Sequence, residues 1–175
     1  NDCFKLVTVG NLKPQKNQQF LLEAFVQLKG KAVSLDIYGD GYLQESLQQF
    51  INQHQLPVRL MGKIRNLPQV LKEYDLFVMS SLYEGFSLAV LEGMALQRPM
   101  LLSDIPTFRE QCADTARYFS LHKPQDFVQE VLQLQQDRPT RDQMGVNGRD
   151  RVMQHFTLEH HLKKLRQIYK SILKQ

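Results

Sequence analysis

Six short apolar runs alternate with helix-patterned segments over the first two thirds of the chain, and this alternation leaves few architectures open. The runs are Lys5–Gly10, Val33–Gly39, Val58–Gly62, Leu76–Ser80, Met100–Ser103 and Arg117–Ser120. Most are bounded by glycine, serine or asparagine and are of strand length, which marks them as buried strands. Between them the spacing predicts helices over Asn17–Leu28, Tyr42–Gln53, Leu67–Glu73, Ser87–Leu96 and Thr107–Ala113. Strands joined through helices run parallel, so the expectation is an α/β fold: a doubly wound, Rossmann-like parallel sheet of about six strands with helices on both faces. After Pro124 the pattern is helical only, at Gln125–Gln135, Arg141–His155 and Leu158–Leu173. The last of these carries Leu162, Leu165, Ile168, Tyr169 and Ile172 on one stripe.

The 175 residues, 42% hydrophobic and 23% charged, suffice for one α/β domain with a core of its own. The net charge of +4 is spread over Lys163, Lys164, Arg166, Lys170 and Lys174 and forms no block. No nucleic-acid partner is implied, while peripheral association with an anionic membrane is compatible. Cys3 and Cys112 lie far apart without metal-like spacing, which points to reduced thiols and a cytoplasmic location. The five histidines, His54, His122, His155, His160 and His161, do not cluster with acids or cysteines, so no metal is expected. No apolar run reaches the length of a membrane span. The start Asn1-Asp2-Cys3-Phe4-Lys5 lacks the layout of a signal peptide and enters its first strand almost at once, as at a domain boundary.

The chemistry is concentrated after the fourth strand, in Ser80-Ser81-Leu82-Tyr83-Glu84-Gly85-Phe86-Ser87-Leu88-Ala89-Val90-Leu91-Glu92-Gly93-Met94-Ala95. A helix starting near Ser87 at the carboxyl end of a parallel strand directs free N–H groups and its positive dipole end into the crevice where such sheets bind ligands. That suits a phosphate. Glu92, about one and a half turns into the helix, leans back toward the same crevice, and Glu84 precedes it in the loop. Carboxylates repel phosphate, so both are assigned to neutral hydroxyl groups, as on a sugar and a ribose.

The pattern Glu-Gly-Phe-Ser-Leu-(x)3-Glu-(x)2-Ala resembles the signature of the retaining glycosyltransferases of family 4, the group 1 glycosyl transferases of GT-B fold. The likeness runs from about Leu6 to Tyr169 and implies the C-terminal, donor-binding half of a two-domain enzyme, with the N-terminal acceptor domain missing. It implies transfer of a sugar from a nucleotide sugar to a hydroxyl of a saccharide or lipid-linked saccharide. Anomeric configuration is retained and neither cofactor nor metal is needed. A hexosyl transfer in surface polysaccharide synthesis, at the inner face of the membrane, is the expected setting. The resemblance gives Glu92 the ribose hydroxyls and Glu84 a hydroxyl of the donor sugar. The backbone N–H groups of Phe86, Ser87 and Leu88 would face the sugar or the diphosphate.

Further matches extend the site. Gly10-Asn11-Leu12, with Lys16 four residues on, resembles the family's diphosphate-holding turn, in which Asn11 replaces an arginine. With that arginine gone, either Lys13 or Lys16 carries more of the charge or the donor phosphates bind differently, and Gly10 could take positive φ and let the backbone approach a ligand. Gly62-Lys63-Ile64 matches the turn that meets the base, with Ile64 against the ring. Because those contacts are largely backbone, UDP, GDP and ADP all remain open. Gly39-Asp40-Gly41 is read as a tight structural turn. Gln97 stands where a left-handed glycine cap is usual, Pro106-Thr107 replace small residues, and Glu110 is read as a packing or orienting acid. Two rival readings stand beside this one. A glycosidase would use Glu84 and Glu92 as paired acids, but no apolar pocket is evident to raise either pKa. A non-enzymatic nucleotide-binding module would use the acids only structurally.

Overall fold

The computed structural model describes residues 3–172, so Asn1 and Asp2, the expected helix end at Leu173, and Lys174 lie outside it. Six strands, β1 (Phe4–Val9), β2 (Val33–Tyr38), β3 (Val58–Gly62), β4 (Leu76–Met79), β5 (Met100–Ser103) and β6 (Arg117–Phe119), form one sheet. The order is β3-β2-β1-β4-β5-β6 and every pairing is parallel. Five helices fill the crossovers: α1 (Gln18–Gln27), α2 (Gln44–His54), α3 (Leu67–Leu71), α4 (Leu88–Ala95) and α5 (Pro106–Cys112). Three more follow, α6 (Pro124–Gln136), α7 (Arg138–His155) and α8 (Leu158–Ile172). The doubly wound expectation holds, with element ends displaced by a residue or two at most positions.

Side chains alternate across the sheet, so the central strands feed two cores. In β4, Leu76 and Val78 join Leu6, Leu35 and Phe25 under α1 and α6, while Phe77 and Met79 join Val7, Val90, Met94 and Phe108 under α4 and α5. Both β4 and β5 are buried along their whole length, as expected of strands covered on two faces. Cys112 lies in the second core, where burial pushes its thiol up to about 12, so at neutral pH it is a protonated, inert packing group. One buried strand residue is an acid. Asp36 in β2 is 4% exposed, and its carboxylate accepts from Arg59 at 2.8 and 2.6 Å and from the Tyr74 hydroxyl at 2.6 Å. Burial and that bond raise the Tyr74 pKa. A buried carboxylate held on both oxygens is tolerated where an unpaired one would not be.

α7 begins three residues before its predicted start. The Asp137 side chain accepts from the Thr140 N–H at 3.0 Å, an N-cap that places Pro139 in the first turn, where proline costs nothing. Gln97 takes the left-handed conformation at φ 57°, in the place expected of a glycine cap. Gln97→Gly should therefore stabilise the chain by about 0.5 to 1 kcal/mol, read as a raised denaturation midpoint at unchanged slope. An unchanged midpoint would mean that the glutamine costs nothing there. α8 contributes no buried residue, and Leu162, Ile168, Tyr169 and Ile172 of its stripe are exposed. No helix among the described residues is long and apolar enough to cross a membrane.

Candidate functional site at the switch point

The strand order reverses between β1 and β4, so the loops leaving their carboxyl ends diverge and open a crevice. These two loops carry the central residues. A short 3-10 turn, Pro14–Lys16, follows β1 and brings the Lys16 ammonium to 2.6 Å from Glu84 Oε1. The side chains are 16% and 7% exposed, so the pair is largely withdrawn from water. Ser81 donates its hydroxyl to the same Glu84 oxygen at 2.7 Å, whereas Oε2 receives only a long contact from Gln15 at 3.5 Å. The loops are also tied through backbone: Leu82 N–H donates to Gln15 O at 2.8 Å, and the Ser80 hydroxyl lies 3.1 and 2.9 Å from the carbonyls of Lys16 and Asn17.

Gly10 serves this arrangement differently from the expectation. It is not among the glycines of positive φ; a Cβ there would stand 3.1 Å from Lys16 Cε and 3.2 Å from Cδ. The missing side chain makes room for the lysine stem, which is laid across the turn toward Glu84. Gly39-Asp40-Gly41 is structural, as read. Leu12 N–H donates to Asp40 O at 2.8 Å, and a Cβ on Gly39 would stand 2.0 Å from Gly10 O.

The start of α4 follows the expected geometry with one correction. Ser87 is the N-cap, its hydroxyl accepting from Val90 N–H at 3.4 Å. Its own N–H, expected to face a ligand, instead donates to Gln111 Oε1 at 3.3 Å. Ser87 is buried, and that bond satisfies a donor which no solvent reaches. Among the described residues no acceptor takes the N–H of Phe86, Leu88 or Ala89, which leaves these three at the positive end of the helix. Phe86 is half exposed and Leu88 more so. Glu92 sits in the second turn of α4, exposed, with its carboxylate in no hydrogen bond among the described residues.

The remaining predicted residues gather beyond β1, β2 and β3. Gly10, Asn11, Tyr38, Gly39, Lys63 and Ile64 line a cavity of about 270 Å³, with Lys63 3.1 Å from Asp40 at its exposed edge. Gly62 adjoins it at φ 71°, and its carbonyl accepts from Gly39 N–H at 2.8 Å. Lys13 caps the 3-10 turn and makes no side-chain cap bond. Glu110, read as an orienting acid, is exposed, and the residue beside it, Gln111, is the one that reaches the loop. Asp104 at the rim is held below the usual carboxylate range by its bonds to the Arg109 guanidinium. Among the described residues no cluster of His, Cys, Asp and Glu could hold a metal ion. Larger hollows of about 660 and 600 Å³ run along the uncovered side of α8, the second reaching Phe86, and neither contains Lys16 or Glu84.

Comparison with known proteins agrees with this architecture. The chain is 37% identical over 110 residues to an uncharacterised glycosyltransferase of Methanocaldococcus jannaschii, covering 61% of this chain and 27% of that one. It is 27% identical over 179 aligned positions to the UDP-Gal:alpha-D-GlcNAc-diphosphoundecaprenol alpha-1,3-galactosyltransferase of Escherichia coli, covering 96% of this chain and 46% of that one. The crystal structure of a Staphylococcus aureus TarM mutant, in complex with fondaparinux, alpha-GlcNAc-glycerol and UDP, superposes with a TM-score of 0.88 at 25% identity. That match covers 96% of this chain and 36% of TarM. The chain thus spans between about a quarter and a half of the length of these relatives. Residues 3–137, more than half of the sequence, match the family described as glycosyl transferases group 1, and the chain belongs to that family.

Proposed function

We propose that this chain binds the nucleotide-sugar donor of a retaining glycosyltransferase, with a separate N-terminal acceptor domain supplying the opposite wall of the cleft. The observation that carries this reading is the Lys16–Glu84 pair, joined at 2.6 Å at the switch point beside the uncommitted N–H groups of α4. Two of the three ammonium protons of Lys16 remain for a diphosphate while the third holds Glu84. Glu84 in turn keeps Oε2 open to accept a sugar hydroxyl. As the glycosidic bond to the diphosphate breaks, negative charge gathers on the leaving phosphate. Lys16 and the N–H groups of Phe86, Leu88 and Ala89 stabilise it there without reorganising, and no metal or cofactor is assigned a part. Glu92 takes the ribose hydroxyls, and Ile64, with Asn11 and Gly10, frames the base. The name of the Escherichia coli relative, which acts on a diphosphoundecaprenol-linked sugar, supports a saccharide or lipid-linked saccharide acceptor and a role in surface polysaccharide synthesis. The scattered basic residues of α8, Lys163, Lys164, Arg166 and Lys170, beside its exposed apolar stripe, are compatible with work at the cytoplasmic face of a membrane.

Thermal-shift titration with UDP, GDP and ADP tests the reading, with UDP favoured because it is the nucleotide named with TarM. At a hundred times its dissociation constant the preferred nucleotide should add about 2.7 kcal/mol, a rise of roughly 5 to 10 °C, and Glu92→Ala should remove most of it. No shift with any of the three would overturn donor binding by this chain. A full shift in Glu92→Ala would return the acid to a structural role, as in a plain nucleotide-binding module.

A further inference from the structure

We infer that Thr107 and Gln111, one turn apart on α5, are positioning residues that set the geometry of the donor loop Glu84–Ser87. The inference rests on the donor reading above. The Thr107 hydroxyl donates to Glu84 O at 2.6 Å. Gln111 takes the other end of the loop with both halves of its amide, Oε1 accepting from Ser87 N–H at 3.3 Å and Nε2 donating to Ser87 O at 2.8 Å. Residues at i and i+4 share one face of a helix, so a single face of α5 grips a four-residue loop at its first and last members.

The side chain of Gln111 is in a costly place for an amide. It is 1% exposed, with Cys112 next to it and Phe108 one turn before it, both in the second core. A buried amide is tolerated only when hydrogen-bonded, and both bonds of this one go to the backbone of Ser87, so its polarity serves the loop and not the core. α5 is itself anchored: Arg151 of α7 donates from Nε to Gln111 O and from Nη2 to Glu110 O, each at 2.8 Å, which satisfies carbonyls at the end of that helix.

The grip determines which groups a ligand meets. Gln111 occupies the Ser87 N–H and shares the Ser87 carbonyl with Leu91 N–H, so the N–H groups of Phe86 and Leu88 are left on either side of a fixed residue. A donor N–H has to lie within about 2.7 to 3.1 Å of a charged oxygen, and displacement by about 1 Å can cost a hundredfold. The base and ribose contacts, at Ile64 and Glu92, do not pass through this loop. Loosening it should therefore weaken recognition of a second phosphate while leaving the nucleoside end alone.

The test compares UDP with UMP on the same chain by NMR titration. In Thr107→Val and Gln111→Met, each close in size and stripped of the hydrogen bonds, UDP affinity should fall by tenfold or more while UMP affinity stays within twofold. Thr107→Ser, which keeps the hydroxyl, should restore UDP binding. A structural role alone would lower both affinities together or neither. Unchanged UDP-to-UMP ratios in a folded Thr107→Val, a half-buried position with little to disturb, would overturn the inference even if Gln111→Met failed to fold. Wild-type protein that bound neither nucleotide would instead overturn the donor reading, and this inference with it.

Discussion

Lys16→Met is expected to weaken binding of the preferred nucleoside diphosphate by about a hundredfold and to destabilise the chain by about 2 kcal/mol or more. The first figure is the usual effect of removing one charged hydrogen bond from a withdrawn site, about 2 to 3 kcal/mol. The second arises because Glu84, 7% exposed, would lose its cation and keep only Ser81 and the long contact to Gln15. Methionine keeps the stem that lies over Gly10, so the loss is one of charge and not of packing. The double variant Lys16→Met, Glu84→Gln separates the two effects. Chemical denaturation should show stability recovered, since no uncompensated carboxylate remains, and calorimetric titration should show affinity still lost. Full stability in the single variant would mean that the pair is not effectively buried, and full affinity would remove Lys16 from the diphosphate.

Gly39→Ala should be the most damaging small substitution in the chain. The added Cβ would stand 2.0 Å from Gly10 O and 2.7 Å from Gly10 C, both backbone, at a φ of 144°. Neither neighbour is a flexible side-chain end. The loops after β1 and β2 have to part, which endangers the bonds Gly10 N–H to Tyr38 O and Gly39 N–H to Gly62 O, at 2.9 and 2.8 Å. The expected loss is about 3 kcal/mol, or near 10 °C in melting temperature. Gly62→Ala is the control. It shares the left-handed requirement at φ 71°, but a Cβ there meets nothing within 4 Å, so it should lose only about 1 kcal/mol. Equal losses at the two positions would show that backbone conformation, and not crowding, governs this turn.

Much of this was legible in the chain because local patterns and tertiary demands agree. β4 is apolar at every position and β5 at all but its last, Ser103, and both are buried throughout, so pattern and outcome coincide. The Glu84-to-Glu92 register fixed a strand, loop and helix whose observed bounds differ from the expectation by one residue. What escaped depends on contacts between distant segments. A sequence shows that Gly10 lacks a side chain, but not that the vacant space is taken by Lys16. Gln111 gave no signal of its own, since a glutamine beside a noticed glutamate carries no periodicity, and its partner Ser87 lies 24 residues away. Asp36 did carry a usable signal, a lone acid in an apolar strand, and Arg59 stands opposite it in the β2–β3 register. The Asp137 cap of α7 was also readable, three residues before Thr140 and ahead of a proline.

β1 is in register with β2 at six positions and with β4 at two, Leu6 with Leu76 and Val7 with Phe77. The crevice therefore opens over the seam with the fewest paired strand positions in the sheet. Beyond the strand ends, that seam is stitched by the groups that form the site: the Lys16–Glu84 pair, the Ser80 hydroxyl on the Lys16 and Asn17 carbonyls, and Gln15 on Leu82 and Tyr83. Chemistry and cohesion thus draw on the same atoms. Retuning residue 16 or 84 alone for another donor also loosens the join over this seam, so a change of specificity at this crevice calls for a matching change at the partner residue to keep it shut.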